Sequence, residues 1–232
     1  MPDFLQITQK CFRYLNETLD TKLFYGTSRA NIPAPKPASS VSVPAQTGQQ
    51  PISVIPVTEL KTRIQNCQQC LLAVKRKKFT DFGGPKNNQA VFISDFPSYF
   101  DEKQGALLSD RSGEQFDKIL SALKINRRLC YITSCLKCAA PSEPGENLSE
   151  LMVCRKYLEE EIHFLEPKLI IGLGSFTFRF CFPGADFMQK RGQKMEFCGY
   201  PIWFTWHPKD MIIDSRLKKP AWDDLQRIFG IN

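Results

Sequence analysis

Four short apolar runs, 90–94 (AVFIS), 129–133 (LCYIT), 168–173 (KLIIGL) and 201–206 (PIWFTW), are separated by stretches with helical spacing. Runs of this length, rich in β-branched and aromatic residues, fit strands covered on both faces of a sheet. The helical stretches lie around 113–123, 148–165 and 175–182, with a last one near 221–229. They supply crossovers rather than tight hairpins, so the strands are expected to pair in parallel. The predicted architecture is α/β: a three-layer α/β/α sandwich around a central, mostly parallel four-stranded sheet.

The alternation starts only after residue 57. From 4 to 24, Phe4, Leu5, Cys11, Phe12, Leu15, Leu19 and Leu23 recur at three- and four-residue steps, which predicts an amphipathic helix ended by Gly26. Residues 27–57 carry six prolines among Ser, Ala, Thr and Gln, a composition with too little apolar surface to offset ordering. The chain thus reads as an N-terminal helix over 1–26, a flexible Pro-rich linker over 27–57 and a compact domain over 58–232. The first helix serves either as a lid on that domain or as a contact for a protein partner.

Composition narrows the function classes. No apolar run approaches the ~20 residues of a membrane span, and Met1-Pro2-Asp3 opens no secretory signal, so a cytoplasmic protein with no membrane partner is expected, a monomer by default. Nine cysteines, an odd number, read better as thiols or metal ligands than as a disulfide framework. A formal charge of +7 favours a polyanionic partner without proving one.

In open α/β sheets ligands gather beyond the carboxyl ends of the strands. The first strand runs into Asp95-Phe96-Pro97-Ser98, the second into Ser134-Cys135-Leu136-Lys137-Cys138, the third into Gly174-Ser175 and the fourth into His207-Pro208. An acid, a hydroxyl, a glycine turn and an imidazole are therefore expected at one cleft.

The cysteines form a second constellation. Cys67 and Cys70 make a C-x-x-C pair, with Cys138 and Cys154 as two further thiols; Cys135 and Cys138 make another C-x-x-C. Four thiolates suit an iron-sulfur cluster or zinc, and spacing alone leaves both the ligand set and the metal open. Cys11, Cys130, Cys181 and Cys198 read as ordinary core or surface thiols.

Over roughly 59–229 these motifs, in order and spacing, resemble the family 4 uracil-DNA glycosylases. Gln104-Gly105, Arg111-Ser112-Gly113, Phe116-Asp117-Lys118, Tyr131-Ile132-Thr133, Leu173-Gly174 and Trp222-Asp223-Asp224-Leu225 also match the family pattern. The resemblance implies a 4Fe-4S cluster on Cys67, Cys70, Cys138 and Cys154, leaves Cys135 as a strand-end thiol, and implies DNA as partner. It also implies excision of uracil or a related damaged base after the nucleotide is flipped into a pocket, by hydrolysis of its N-glycosidic bond. The catalytic pair would be Asp95 and His207, with Phe96, Pro97, Leu108 and Ser134 lining the base pocket.

The pocket departs from the family at three positions. Asp95 stands in place of a glycine-flanked Glu, Leu108 in place of a base-stacking Phe, and Ser134 in place of the Asn that reads the uracil edge. A shift of about 1 Å in a reacting group costs ~10²-fold in rate, and lost stacking costs ~1–3 kcal/mol. Asp101 and Glu102 are expected to be solvated loop acids, the one alternative being a substitute carboxylate. On the DNA side, Arg111, Ser112, Arg191 and Lys209 are candidate contacts within a broader set of lysines and arginines at 61–78 and 190–219, and Met211 with Ile212 a candidate wedge. Glu143, Glu146, Glu150, Glu159, Glu160 and Glu161 predict an acidic face. Two functions stay open: a DNA glycosylase, or a glycosylase fold kept as a DNA-binding or interaction module in a repair or replication complex. A zinc protein unrelated to glycosylases is a third reading.

Overall fold

A computed structural model of the chain describes residues 56–140 and 148–231. The expected N-terminal helix, nearly all of the proline-rich linker, and Glu143 and Glu146 lie outside these residues.

Nine α-helices and five strands are present among the described residues. Helices α1 (Val57–Gln65) and α2 (Leu71–Lys75) precede β1 (Ala90–Ser94). Then follow α3 (Tyr99–Gln104), α4 (Arg111–Ala122), β2 (Cys130–Ser134), α5 (Leu148–Leu165), β3 (Ile170–Leu173), α6 (Gly174–Cys181) and α7 (Phe187–Lys190). The chain ends in β4 (Met195–Phe197), β5 (Tyr200–Thr205), α8 (Pro208–Ile213) and α9 (Lys218–Phe229).

The sheet order is β2-β1-β3-β5-β4. The first four strands are parallel, as expected from residues buried along the whole of β1, β2 and β3. The expected count of four strands is corrected to five. The addition, β4, is an edge strand running antiparallel to β5 across the two-residue turn Cys198-Gly199. Both turn residues have positive φ, 54° and 85°, the backbone of a tight hairpin.

Register puts the strand ends in one row. Ser94 is level with Ser134, Ile93 with Gly172, and Leu173 with Thr205. Because β1 has β2 on one side and β3 on the other, the chain leaves β1 in one direction and returns past it, so Asp95 follows the strand at the topological switch point. Helix α6 packs across β1, β3 and β5, α9 packs on β5, and α1 packs against α5, completing helical layers around the sheet. Phe92, Phe116, Phe178 and Phe204 are fully buried in the core. No described helix is long and apolar enough to cross a membrane.

Candidate active site and cysteine cluster

Two strand ends bring the acid and the imidazole together. Ser94 closes β1, Asp95 follows it, and His207 follows β5 as the N-cap of α8. All three are buried: Ser94 is 2%, Asp95 4% and His207 3% exposed. The Lys209 backbone N–H donates to Nδ1 of His207 at 3.0 Å, so Nδ1 carries no proton and the neutral ring holds its hydrogen on Nε2. Nε2 stands 2.9 Å from the Ser94 hydroxyl and 3.4 Å from Oδ1 of Asp95. The Ser94 hydroxyl in turn donates to Oδ1 at 3.2 Å. The result is a ladder from imidazole through serine to carboxylate.

The surrounding backbone fixes this ladder. The Phe96 N–H donates to Oδ1 at 2.8 Å, and the Cys135 and Leu136 N–H groups donate to the Ser94 and Asp95 carbonyls at 2.9 and 3.1 Å. Gly174 (φ 88°) passes beneath the imidazole, where a Cβ would stand 2.9 Å from His207 Cβ. The Lys209 ammonium contacts Oδ2 of Asp95 and lies 4.9 Å from the Phe96 ring centre.

Burial works to raise the Asp95 pKa, but the His207 ring, the Lys209 ammonium and the Phe96 N–H outweigh it, and the carboxyl is held below its ordinary value. His207 also lies below its ordinary value, because burial of an imidazolium outweighs the attraction of Asp95. At neutral pH the pair is therefore a carboxylate beside a neutral imidazole.

The positions expected to line the base pocket differ in how they are used. Pro97 is buried and Phe96 half-buried, its ring edge-on to Phe176 at 5.4 Å. The Ser134 hydroxyl donates to the Leu136 carbonyl at 2.7 Å. Leu108 is 5% exposed with φ 51°, a left-handed conformation uncommon for a branched side chain, and its carbonyl accepts from Arg127 at 3.2 Å.

Asp101 and Glu102 are not solvated loop acids, nor free to substitute for Asp95. Both are buried on α3. Asp101 forms a capping box with Ser98 and accepts the Ser109 N–H and hydroxyl, each at 2.7 Å, while Glu102 accepts the Lys77 N–H at 3.0 Å.

Several expected DNA contacts are redirected inward. Arg191, at the C-terminus of α7, pairs with the fully buried Asp224 and donates to the Pro220 carbonyl, so it fastens α9 to the end of α7. The Ser112 hydroxyl bonds Asp110, the N-cap of α4. Met211 is 2% exposed and packed, which removes it as a wedge; Ile212 is 42% and Ile213 83% exposed. Arg111 does lie on the surface. Sequence reasoning missed the Asp95 contact of Lys209, although the position two residues past His207 was a signal.

The expected acidic face is also broken up. Glu159 and Glu160 pair with Arg155 and Arg63, and Glu150 is buried. Glu161 is fully buried against Lys137 at 2.7 Å, with Thr133 donating to the same oxygen at 2.9 Å.

Four cysteines gather close to this buried ion pair, with Lys137 next to Cys154. Cys67 follows α1, Cys70 caps α2, Cys138 lies beyond β2 and Cys154 is on α5. Burial pushes the Cys138 thiol up to about 11, with the Arg76 cation lowering it and Cys70 and Cys67 adding to the rise. The Cys154 thiol is pushed up to about 12 by burial, with Cys138 and Cys70 again among its neighbours. Arg76 donates to Cys138 Sγ at 3.3 Å and to the Ile64 carbonyl at 3.1 Å. Cys135 interacts instead with Cys181 and Thr177. Among the described residues, no three Cys, His, Asp or Glu side chains converge closely enough to hold a single metal ion.

Residues 80–226 match the family model described as the uracil DNA glycosylase superfamily. The chain is 24% identical over 184 residues to the Type-4 uracil-DNA glycosylase of Pyrobaculum aerophilum, covering 74% of this chain and 92% of that protein. It is 22% identical to the Type-4 uracil-DNA glycosylase of Sulfurisphaera tokodaii, covering 73% and 82% of the two chains. With the Type-4 uracil-DNA glycosylase of Thermotoga maritima the identity is 23%, covering 71% and 88%.

Proposed function

The chain belongs to the uracil DNA glycosylase superfamily, and from that membership we propose that it excises uracil from DNA by hydrolysing the N-glycosidic bond, as a base-excision repair enzyme. The observation that carries the assignment of catalytic roles is the buried ladder of His207, Ser94 and Asp95 at the strand-end row. As the bond breaks, positive charge grows on the sugar and negative charge on the base. The Asp95 carboxylate stabilises the first, and the Nε2–H of His207 is the donor for the departing uracil oxygen. Ser94 holds that N–H in the free protein and yields it to the base. Phe96 and Pro97 wall the pocket, while Arg111 and the exposed Ile213 meet the DNA strand.

We assign Cys67, Cys70, Cys138 and Cys154 as ligands of a 4Fe-4S cluster. Their mutual proximity and the Arg76 donor support this, and four thiolates suit such a cluster. When bound, the cluster ties α1–α2, the extension of β2 and α5 together and supplies no reacting atom. A cytoplasmic monomer, with residues 1–26 meeting a protein partner, completes the proposal.

A second reading, a fold kept for DNA binding, is favoured by one observation: the Ser134 hydroxyl is spent on the Leu136 carbonyl and offers no paired contact to a base edge. One assay separates the two. Single-stranded and duplex DNA with one deoxyuridine is incubated with the parent and with His207→Ala, and uracil loss is scored by alkali cleavage. Excision that disappears in the variant supports the glycosylase; salt-sensitive DNA binding with no excision supports the binding module.

A further inference from the structure

The two oxygens of Asp95 have different surroundings. Oδ1 accepts from the Phe96 N–H and the Ser94 hydroxyl and faces His207. Oδ2 contacts the Lys209 ammonium. A carboxylate that prepares a nucleophile holds it within hydrogen-bond reach of a free oxygen. In this protein that place holds a primary amine. The amine is held from two sides, by Oδ2 and by the face of Phe96, and its backbone is fixed by the bond to His207 Nδ1. The side chain is 45% exposed, so a substrate can reach it.

We propose that Lys209 gives the protein a second activity: it condenses with the aldehyde of an abasic deoxyribose in DNA, with Asp95 carrying the protons. This rests on the reading of the pocket as the place where a flipped nucleotide is received. The Lys209 ammonium passes a proton to Oδ2, and the free amine attacks C1′ of the open-chain sugar, forming a C–N bond. The aldehyde oxygen leaves as water with two of the three ammonium protons, and an iminium carrying the third remains. Asp95, again a carboxylate, then takes a proton from C2′. The electron pair moves to break the C3′–O bond, and the downstream strand departs with its phosphate, whose leaving oxygen takes the C2′ proton from Asp95. Water hydrolyses the imine, restoring the amine and releasing an unsaturated aldehyde on the upstream strand.

The test uses DNA with one preformed abasic site, so no base need be excised, and borohydride to reduce the iminium to a stable amine. The full-length parent is expected to give a covalent protein–DNA band on a denaturing gel, and Lys209→Arg, which keeps the charge beside Asp95 but cannot condense, is expected to lose it. Lys209→Ala should lose it equally. No band with the parent, or a band of undiminished yield with either variant, overturns the proposal. Uracil release from deoxyuridine DNA, measured separately, decides the glycosylase reading whichever way the trapping falls.

Discussion

Ser94 and His207 lie 113 positions apart and meet with Oγ and Nε2 at 2.9 Å, although one closes β1 and the other follows β5, strands that are not neighbours in the sheet. Ser94→Ala removes the side chain that bridges imidazole and carboxylate while leaving the strand intact. Uracil excision is expected to fall about 10–100-fold, the loss of one hydrogen bond to a charged group at ~1.5–3 kcal/mol. Single-turnover kinetics on deoxyuridine DNA measures it; an unchanged rate would remove the serine from the ladder.

Acidification should destabilise the fold in two stages. His207 is held neutral below its ordinary value, so its contribution is complete above the unfolded histidine pKa of ~6.5 and is lost as pH falls toward the folded value. Asp95 is depressed too, so its contribution is complete above ~3.9 and lost at still lower pH. Melting followed from pH 7.5 to 5.5 should drop in the parent and flatten in His207→Gln.

Gly174→Ala would place a methyl 2.9 Å from His207 Cβ on a backbone with φ 88°. We expect a folded protein with the imidazole displaced. A shift of about 1 Å corresponds to a rate loss of ~10²-fold. Excision kinetics beside circular dichroism and melting curves will show whether activity falls further than stability.

Lys137→Met leaves Glu161 charged and unpaired in the core, where Lys137 and Glu161 are now 1% and 0% exposed. The expected cost is about 3–5 kcal/mol in chemical denaturation, with much of it recovered when Glu161→Gln is added. Equal stability of single and double variants would show that the pair is not coupled.

Cys138→Ser removes one proposed cluster ligand from a site that ties three segments together. Folded yield and the broad visible absorbance near 400 nm should both fall in the purified protein. A variant with parental yield, melting and absorbance would place the ligand set elsewhere.

The parallel part of the sheet was legible because β1, β2, β3 and β5 are apolar runs of the right length between helical crossovers. β1 and α5 were placed to the residue, and the other strands to within two. β4 was missed because Met195-Glu196-Phe197 is three residues long and half solvent-facing, too short for a periodicity. The Cys198-Gly199 turn between two apolar segments was its readable signal. Of the site, Asp95 and His207 were legible from their position after strands. The inward use of Arg191, Met211 and Glu161 was not, since spacing along the chain does not say which long side chains find buried partners. Lys209 looked like a phosphate contact for the same reason: charge can be read from sequence, but the carboxylate it meets comes from 114 residues away.

The strand order has a consequence for how the site comes into being. Only β4 and β5 join neighbouring segments; every other pairing waits for a crossover to close. Asp95 is synthesised and packed on β1 long before β5 exists, and neither His207 nor Lys209 reaches it until β5 docks on β3. Long-range parallel pairings of this kind form late and slowly. A nascent chain or a fragment ending after α6 would thus carry the acid with none of its partners, leaving the protein without its chemistry until its final strand is in place.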